Sequence, residues 1–256
     1  MDADAWYLRT LASMEAFWRA IVAQSPGASL ISDDGLLAAV VPQTPNKSFF
    51  NSVLYRDLDR LAARLTDLAA AYDEAGVNAW TVWTPRSHGS TAELLAAAGH
   101  QLDGQPRLMV VEDLARIESP DLDGVDWTRD PDPDEFAQAT DAGFGMGDEG
   151  FARAVRGRFD VPGGHLYLAH LDGKPATTAM VIDADGDAGV FVIATVPEAR
   201  GRGLAAKLTA RAVCDARERG CETSTLQATK AGFPIYLRMG YEEIEPIDMW
   251  ERRKVE

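Results

Sequence analysis

The stretch VFVIATVPEARGRGLAAKL, Val190–Leu208, decides the fold predicted for this chain. Its first seven residues are apolar or β-branched, which is typical of a buried strand. Pro197 ends the strand, because proline cannot donate to a ladder. The residues from about Gly203 onward begin an amphipathic helix. The stretch therefore predicts a strand, a glycine turn and a helix in direct succession.

The glycine turn has the chemistry of an anion site. The first backbone N–H groups of a helix lack an intrahelical acceptor, and the helix dipole adds positive charge there. Glycine lets a phosphate reach the backbone, and Arg200 and Arg202 add side-chain charge, so a diphosphate is the expected ligand. The alternative is an ordinary turn whose glycines only permit the backbone conformation. The sequence has neither a GxxxxGK[ST] loop nor a GxGxxG turn with an acidic partner, so nucleotide loops of those kinds are not favoured.

The elements around this stretch form a meander. Strands are predicted at 165–171, 176–183 and 188–196, joined by the tight-turn sequences DGKP and ADGD. A strand near 125–129 and helices at 132–141 and 148–158 precede them. The helix at 203–219 is followed by a strand in ETSTLQA, a short helix in FPIYLRMGY and a final strand in MWERRK. The second half is therefore a mostly antiparallel sheet with helices between strands.

The first half repeats this order. Helices are predicted at 5–24, 57–74 and 90–98, and strands on both sides of the Asp-Asp-Gly turn and at 48–55, 78–84 and 107–113. RLAARL matches GLAAKL, and AAAGH matches LRMGY, at similar spacings from the glycines that end the helices. The sequence predicts duplication of one α/β (α+β) fold, with domains at 1–118 and 119–256. Coincidence is the alternative, since strand–helix–strand units with glycine stops are common.

Composition excludes several classes of protein. The chain has 256 residues, 46% of them hydrophobic, and a net charge of −15. Such a charge disfavours nucleic acid and anionic membranes as partners. No apolar run approaches the ~18 residues of a membrane span, and the N-terminus lacks a secretory pattern, so a cytoplasmic location is expected. The two cysteines, Cys214 and Cys221, lack metal-ligand spacing and are expected to be reduced thiols.

Two stretches of the second half resemble the motifs of a known family. VPEARGRGLAAKL resembles the coenzyme A loop of the GCN5-related N-acetyltransferases, the GNAT superfamily, whose pattern Arg/Gln-x-x-Gly-x-Gly/Ala is met by Arg200, Gly203 and Ala205. LQATKAGFPIYLRMGYEEI is similar to a second motif of that family, a strand followed by a helix that carries a tyrosine and ends in Gly-Tyr. The resemblance covers the last ~130 residues, a usual domain size. The first half looks like a degenerate copy, so a tandem fold is expected.

The resemblance implies an acyltransferase that moves the acetyl group of acetyl-CoA directly to a primary amine of a small molecule or peptide. It assigns the coenzyme to Thr195, Val196, Arg200, Gly201, Arg202, Gly203, Leu204, Ala205, Ala206 and Thr229. A backbone N–H near Val196 would polarise the thioester carbonyl. Tyr236 would protonate the departing thiolate, which a phenol of pKa ~10 can do at neutral pH. No metal is expected.

The sequence departs from the family pattern in three ways. Thr229 stands where some members carry Asn, and Gly232 stands where they carry Ala. No Asp or Glu lies on the strand from Gly189 to Val196, so the general base is not identified. The missing base keeps a second hypothesis open, in which the protein is a non-catalytic acyl-CoA-binding sensor or scaffold.

The sequence indicates only the general character of the acceptor. Ten Asp or Glu residues and one Arg lie between Ser119 and Glu149, a segment that would attract a cationic amine or simply be a solvated surface. Asp148, Glu149 and Asp160 border the region where the family binds its acceptor. His165 and His170 lie five apart on one strand and so face opposite ways, which excludes a metal pair.

The first half is predicted to bind no coenzyme. Where the second half has Gly203, the stretch YRDLDRLAARL has Asp59 or Arg60. Without glycine and with two aspartates, this turn would repel a diphosphate. The first half is therefore expected to be scaffold or a wall of the acceptor cleft. Neither the acceptor nor the oligomeric state follows from the sequence.

Overall fold

The computed structural model describes residues 1–155 and 160–254. The helices of these residues are α1 (Ala3–Gln24), α2 (Leu58–Glu74), α3 (Gly89–Ala97), α4 (Pro133–Phe144), α5 (Phe151–Val155), α6 (Leu204–Glu218) and α7 (Phe233–Arg238). The strands are β1 (Ser29–Asp33), β2 (Leu36–Val40), β3 (Ser52–Tyr55), β4 (Ala79–Pro85), β5 (Gln101–Gly104), β6 (Arg107–Val111), β7 (Asp126–Arg129), β8 (Gly164–Leu171), β9 (Lys174–Ala184), β10 (Asp187–Thr195), β11 (Thr223–Ala228) and β12 (Glu242–Arg253).

The strands form one continuous sheet in the order β1-β2-β3-β4-β12-β6-β11-β10-β9-β8-β7, with β5 pairing to β12. Two pairs, β3 with β4 and β10 with β11, are parallel, and the other pairs are antiparallel. Each parallel pair is joined by a long helix, α2 or α6, as a parallel crossover requires. The predicted fold class, a mixed and mostly antiparallel sheet flanked by helices, is confirmed.

The two halves exchange strands at the centre of the sheet. β6 belongs to the first half of the chain but pairs with β11 of the second half. The last part of β12, Ile247–Arg253, pairs with β4 of the first half, while its beginning pairs with β6. A boundary near 118 stays a prediction for the chain, but hydrogen-bonded strand pairs cross it in both directions.

The hydrophobic core has three parts. One lies under α2 in the first half and one under α6 in the second half. The third is shared, because α1 of the first half packs on β9 and β10 of the second half. Within it the ring of Phe17 stacks on that of Phe191, with centroids 5.1 Å apart and planes at 9°. The shared core fixes α1 against the strand that leads into the glycine turn.

The elements match the sequence predictions with four differences. The strand expected at 48–55 is only Ser52–Tyr55, because the preceding residues form turns. β5 was not predicted, since its residues are polar and largely exposed. β12 is far longer than MWERRK, because it spans both halves. The helix expected at 148–158 begins only at Phe151, as α5, because Gly147–Glu149 forms a separate 3-10 turn, and its last predicted residues lie outside the described part of the chain.

No helix in the part of the chain described here has the length and apolar character needed to cross a membrane. The same residues contain no cluster of three or more His, Cys, Asp or Glu side chains that could hold a metal ion.

Candidate functional site

The glycine turn has the backbone geometry of an anion site. Gly201 and Gly203 both have φ +76°, in the left-handed region that favours glycine. Gly203 caps α6, and among the described residues no side chain accepts a hydrogen bond from the first turn of that helix. The first intrahelical bond at this end runs from the Lys207 N–H to the Gly203 carbonyl. The amides of Leu204, Ala205 and Ala206 are therefore open to a ligand at the positive end of a 15-residue helix.

Positive side chains collect at this end of the sheet. Arg202 lies in the turn, Lys207 in the first turn of α6, and Lys230 just after β11. None of the three has an acidic partner among the described residues, although Asp and Glu outnumber Lys and Arg by 40 to 25. Sequence reasoning missed Lys207 and Lys230. The available signal was that two of only five lysines in the chain flank this one turn.

β10 and β11 separate beside the glycine turn. Their parallel pairing runs from Asp187 to Val190 on β10 and stops there. The register between β10 and β9 then shifts between Phe191 and Ala194, where Val192 has φ +55°. A β-branched residue in the left-handed region is a true outlier. The bulge turns residues 192–195 away from β11 and leaves an open strand edge above the turn.

The structure places Thr195 at the end of that open segment and Val196 directly after it. The Val196 N–H donates to the Ala176 carbonyl at 2.9 Å, so it is not available to a thioester. Alternation along the strand directs the Thr195 N–H away from β9 instead. The Arg200 guanidinium donates to the Thr195 carbonyl at 3.1 Å and to the Gly143 carbonyl at 2.9 Å. Arg200 thus braces the turn against α4.

Thr229 and Tyr236 lie beyond the end of β11, at the same edge of the sheet. The Thr229 hydroxyl accepts from the Gly232 N–H at 3.2 Å, in the turn that leads into α7. A Cβ at Gly232 would lie 2.8 Å from the Tyr236 ring, so the glycine that departs from the family pattern leaves room for this tyrosine. Tyr236 packs edge-on against Tyr241. Burial raises the pKa of Tyr236 above its ordinary value, so the phenol keeps its proton at neutral pH.

The acidic residues expected near the acceptor have separate surroundings. Glu149 accepts from the backbone and side-chain N–H groups of Asn46, which ties it to the first half. Asp160 bonds through its backbone to Gln24, and Asp148 is exposed. A carboxylate that the sequence reading did not consider, Asp187, stands at the start of β10. It is fully buried and accepts from two threonine hydroxyls, at the end of the strand away from the glycine turn.

The two histidines of β8 face opposite sides of the sheet, as predicted. The imidazole of His165 lies 3.7 Å from Asp183, on the side of α6, and burial lowers the pKa of His165. The imidazole of His170 lies 3.5 Å from Glu135 of α4. They cannot share a metal ion.

The corresponding place in the first half is closed. Asp57 caps α2, and its carboxylate accepts from the N–H groups of Asp59 and Arg60 at 2.8 and 3.1 Å. The position that matches Gly203 by helix start is therefore Asp57 and not Asp59 or Arg60, because this cap lets α2 begin one turn earlier. β3 and β4 also diverge after a short pairing, but the Tyr7 hydroxyl lies 3.0 Å from the Tyr55 carbonyl and 3.3 Å from the Trp83 carbonyl. A buried side chain thus bridges the two strands.

Comparison with known families and structures bears on this site. Residues 162–243 match a family model described as "Acetyltransferase (GNAT) domain". That range includes the meander, the glycine turn, α6, β11 and α7. No curated protein sequence is similar enough to this chain to count as a match.

Several solved structures share the fold over nearly the whole chain. A GCN5-related N-acetyltransferase from Kribbella flavida has a TM-score of 0.71 and 20% identity, covering 97% of this chain and 96% of its own. A tandem GNAT protein from the clavulanic acid biosynthesis pathway has a TM-score of 0.60 and 14% identity, covering 99% and 97%. A GCN5-related N-acetyltransferase from Sphaerobacter thermophilus has a TM-score of 0.56 and 18% identity, covering 95% and 91%. At these identities the likeness is one of fold alone.

Proposed function

We propose that this chain, whose C-terminal half carries a GNAT domain and whose fold is that of a tandem GNAT protein, is an N-acetyltransferase. The donor is acetyl-CoA, and the acceptor is a primary amine of a small molecule or peptide. The second half alone binds the donor. The first half completes the sheet and the shared core.

One observation supports this proposal above the others. The amides of an uncapped helix start lie directly beside a split between two parallel strands. The first feature suits a diphosphate, and the second suits an extended amide-containing arm that can bond to a free strand edge. Coenzyme A contains both groups in succession. The unpaired cations around the turn add attraction for its phosphates in an otherwise acidic protein.

The proposed reaction forms an amide bond and breaks a thioester bond. The neutral amine attacks the thioester carbonyl carbon, and the oxyanion is stabilised by a backbone N–H of the bulged strand. The tetrahedral intermediate collapses with loss of the thiolate, which takes the proton of Tyr236. The ammonium proton leaves to water or to a base outside residues 188–196, which include no carboxylate, and a proton from solvent restores the phenol of Tyr236. The products are the acetylated amine and coenzyme A.

A second candidate is a sensor that binds acyl-CoA without turnover. The carboxylate that β10 does carry, Asp187, is held by threonines at the far end of the strand and is not placed to deprotonate an amine. Tight acetyl-CoA binding with no product from any amine would favour this candidate over the enzyme.

The test is release of free thiol from acetyl-CoA in the presence of a panel of amines. The panel should contain polyamines, aminoglycosides, amino acids and peptides with free N-termini. We expect at least one amine to raise thiol release above the background hydrolysis, with one acetylated product per thiol by mass spectrometry. If isothermal titration calorimetry detects no binding of acetyl-CoA, both candidates fail.

A further inference from the structure

We propose that Thr178 is a positioning residue that holds the bulged segment of β10 in its open conformation. It acts through a hydrogen-bonded clamp between α4, β9 and β10, here called the threonine clamp and made of Thr140, Thr178 and the Val192 carbonyl. The proposal rests on the proposed function, because its purpose is to keep a strand edge free for the pantetheine arm of the coenzyme.

The bulge needs such support. Val192 has φ +55°, and a β-branched residue in this region stores strain that persists only where the surroundings impose it. Left unsupported, residues 192–195 would regain favourable backbone angles by continuing the pairing with β11 that stops at Val190. The open edge would then be lost.

The threonine clamp supplies a hydrogen bond at the strained residue itself. The Thr178 hydroxyl donates to the Val192 carbonyl at 2.9 Å. The Thr140 hydroxyl of α4 in turn donates to the Thr178 oxygen at 3.3 Å, which leaves the Thr178 proton directed at the carbonyl. Both threonines are fully buried, so water does not compete for these bonds.

Two contacts further along α4 hold the same segment. A Cβ at Gly143 would lie 2.7 Å from the Ala194 side chain and 2.9 Å from the Thr195 nitrogen, so the helix touches the strand backbone directly. Arg200 donates to carbonyls of both Gly143 and Thr195. The end of α4 is therefore fixed to β10 at the bulge and directly after it, and the clamp is part of a continuous support.

Loss of the clamp should weaken the binding of one part of the ligand, the pantetheine arm. Thr178→Val keeps the shape of the side chain and removes the donor, so the open edge closes more often. The diphosphate site at α6 lies outside the clamp. Acetyl-CoA should therefore bind less tightly, while adenosine 3′,5′-bisphosphate, which lacks the pantetheine arm, should bind as in the wild type.

The experiment compares dissociation constants of the full-length variants by calorimetry. For Thr178→Val we expect acetyl-CoA to bind about three- to tenfold more weakly, the usual effect of one buried hydrogen bond, and the bisphosphate to be unchanged. Thr178→Ser keeps a hydroxyl and should restore acetyl-CoA binding. Thr81→Val is the matched control, because Thr81 is a fully buried strand threonine of the first half whose hydroxyl has no partner among the described residues.

The possible results distinguish a failure of the clamp from a failure of the proposed function. The clamp is overturned if the wild type binds acetyl-CoA and Thr178→Val binds it equally well. It is also overturned if Thr178→Val binds both ligands more weakly by the same factor. In either case the proposed function still stands. Wild-type protein that binds no acetyl-CoA overturns the proposed function and the clamp's purpose with it. If Thr178→Val does not fold, Thr140→Val must show a smaller loss of acetyl-CoA binding with the bisphosphate unaffected. Acetyl-CoA binding by Thr140→Val equal to that of the wild type overturns the clamp.

Discussion

The hydroxyl of Tyr7 lies 3.3 Å from the carbonyl of Trp83 and also reaches the carbonyl of Tyr55, so one buried residue of α1 joins the diverging ends of β3 and β4. Among the described residues, no side chain makes such a bridge at the diverging ends of the equivalent strands of the second half, β10 and β11, and Arg9 of α1 contacts both strands only at their opposite ends. The same split between parallel strands is thus closed in one half and open in the other.

The first prediction is that the protein binds a single molecule of acetyl-CoA. The first half lacks both parts of the site, since Tyr7 bridges the strands and the Asp57 carboxylate occupies the start of α2. Calorimetry should give one site per chain. Tyr7→Phe should lower the free energy of unfolding by about 1 to 3 kcal/mol, because it leaves buried carbonyls without a donor. A stoichiometry of two in the wild type would show that the first half is not degenerate.

The second prediction concerns the charge at the two ends of α6. Gly203 and Gly220 are both exposed, left-handed glycines with open space where a Cβ would stand. Gly203→Asp and Gly220→Asp should each cost about 1 kcal/mol of stability from backbone strain. Only Gly203→Asp should abolish acetyl-CoA binding, because its carboxylate would meet the diphosphate.

Gly220→Asp is the matched control, with the same change at the opposite end of the same helix. Its dissociation constant for acetyl-CoA should stay within about twofold of the wild type, a difference of less than ~0.5 kcal/mol. Equal loss of binding in both variants would point to unfolding and would remove the glycine turn from the site.

The third prediction assigns chemistry to Tyr236. Tyr236→Phe should lower kcat about 100-fold, the usual contribution of a general acid, and leave the dissociation constant of acetyl-CoA unchanged. Since burial raises the pKa of this phenol, kcat should show no fall from its deprotonation below about pH 10. Tyr241→Phe is the control, because its hydroxyl is occupied by Ser224 at 2.7 Å. Loss of activity in both variants alike would make Tyr236 a packing residue.

The sequence predicted the local parts of this site better than its long-range parts. Gly203 could be found because a left-handed residue at a helix start requires glycine, and that requirement is visible in a few letters. The bulge could not be found, because Val192 lies in an apolar run and the hydroxyl that donates to its carbonyl belongs to Thr178, fourteen positions away. Arg200 was expected to bind phosphate, since nothing in its neighbourhood reveals the carbonyl of Gly143.

The sequence could not predict the strand exchange, for a related reason. The continuous apolar run Leu108–Val111 of β6 is buried on both faces and suits any interior position of a sheet. Its actual neighbours, β11 and β12, lie more than a hundred residues further along the chain. The duplication of elements suggested two domains that meet near residue 118, whereas the strand pairing joins both halves into one sheet.

The fourth prediction follows from that exchange. A fragment of residues 119–256 lacks β6 and α1, which leaves the edge of β11 unpaired and the rings of Phe151 and Phe191 uncovered. We expect it to aggregate when expressed alone and to show no cooperative unfolding. Co-expression with residues 1–118 should yield a soluble 1:1 complex. A monomeric fragment with a sharp thermal transition would instead establish 119–256 as an independent domain.

The fifth prediction concerns stability at mildly acidic pH. Burial against Trp80 lowers the pKa of His100 from 6.5 to about 4. In the unfolded chain this imidazole gains a proton as the pH falls through about 6.5, while in the folded chain it stays neutral until about pH 4. The unfolded state therefore binds more protons in that window, and stability is full above pH 6.5 and falls below it.

The size of the effect can be measured against a variant that does not titrate. Between pH 7 and pH 5 the His100 contribution to the free energy of unfolding should fall by about 2 kcal/mol. Urea unfolding of the wild type and of His100→Phe, which keeps an aromatic ring beside Trp80, isolates this contribution from that of His165. We expect the variant to lose distinctly less stability between the two pH values. Parallel pH profiles for the two proteins would mean that His100 takes up its proton equally well in the folded state.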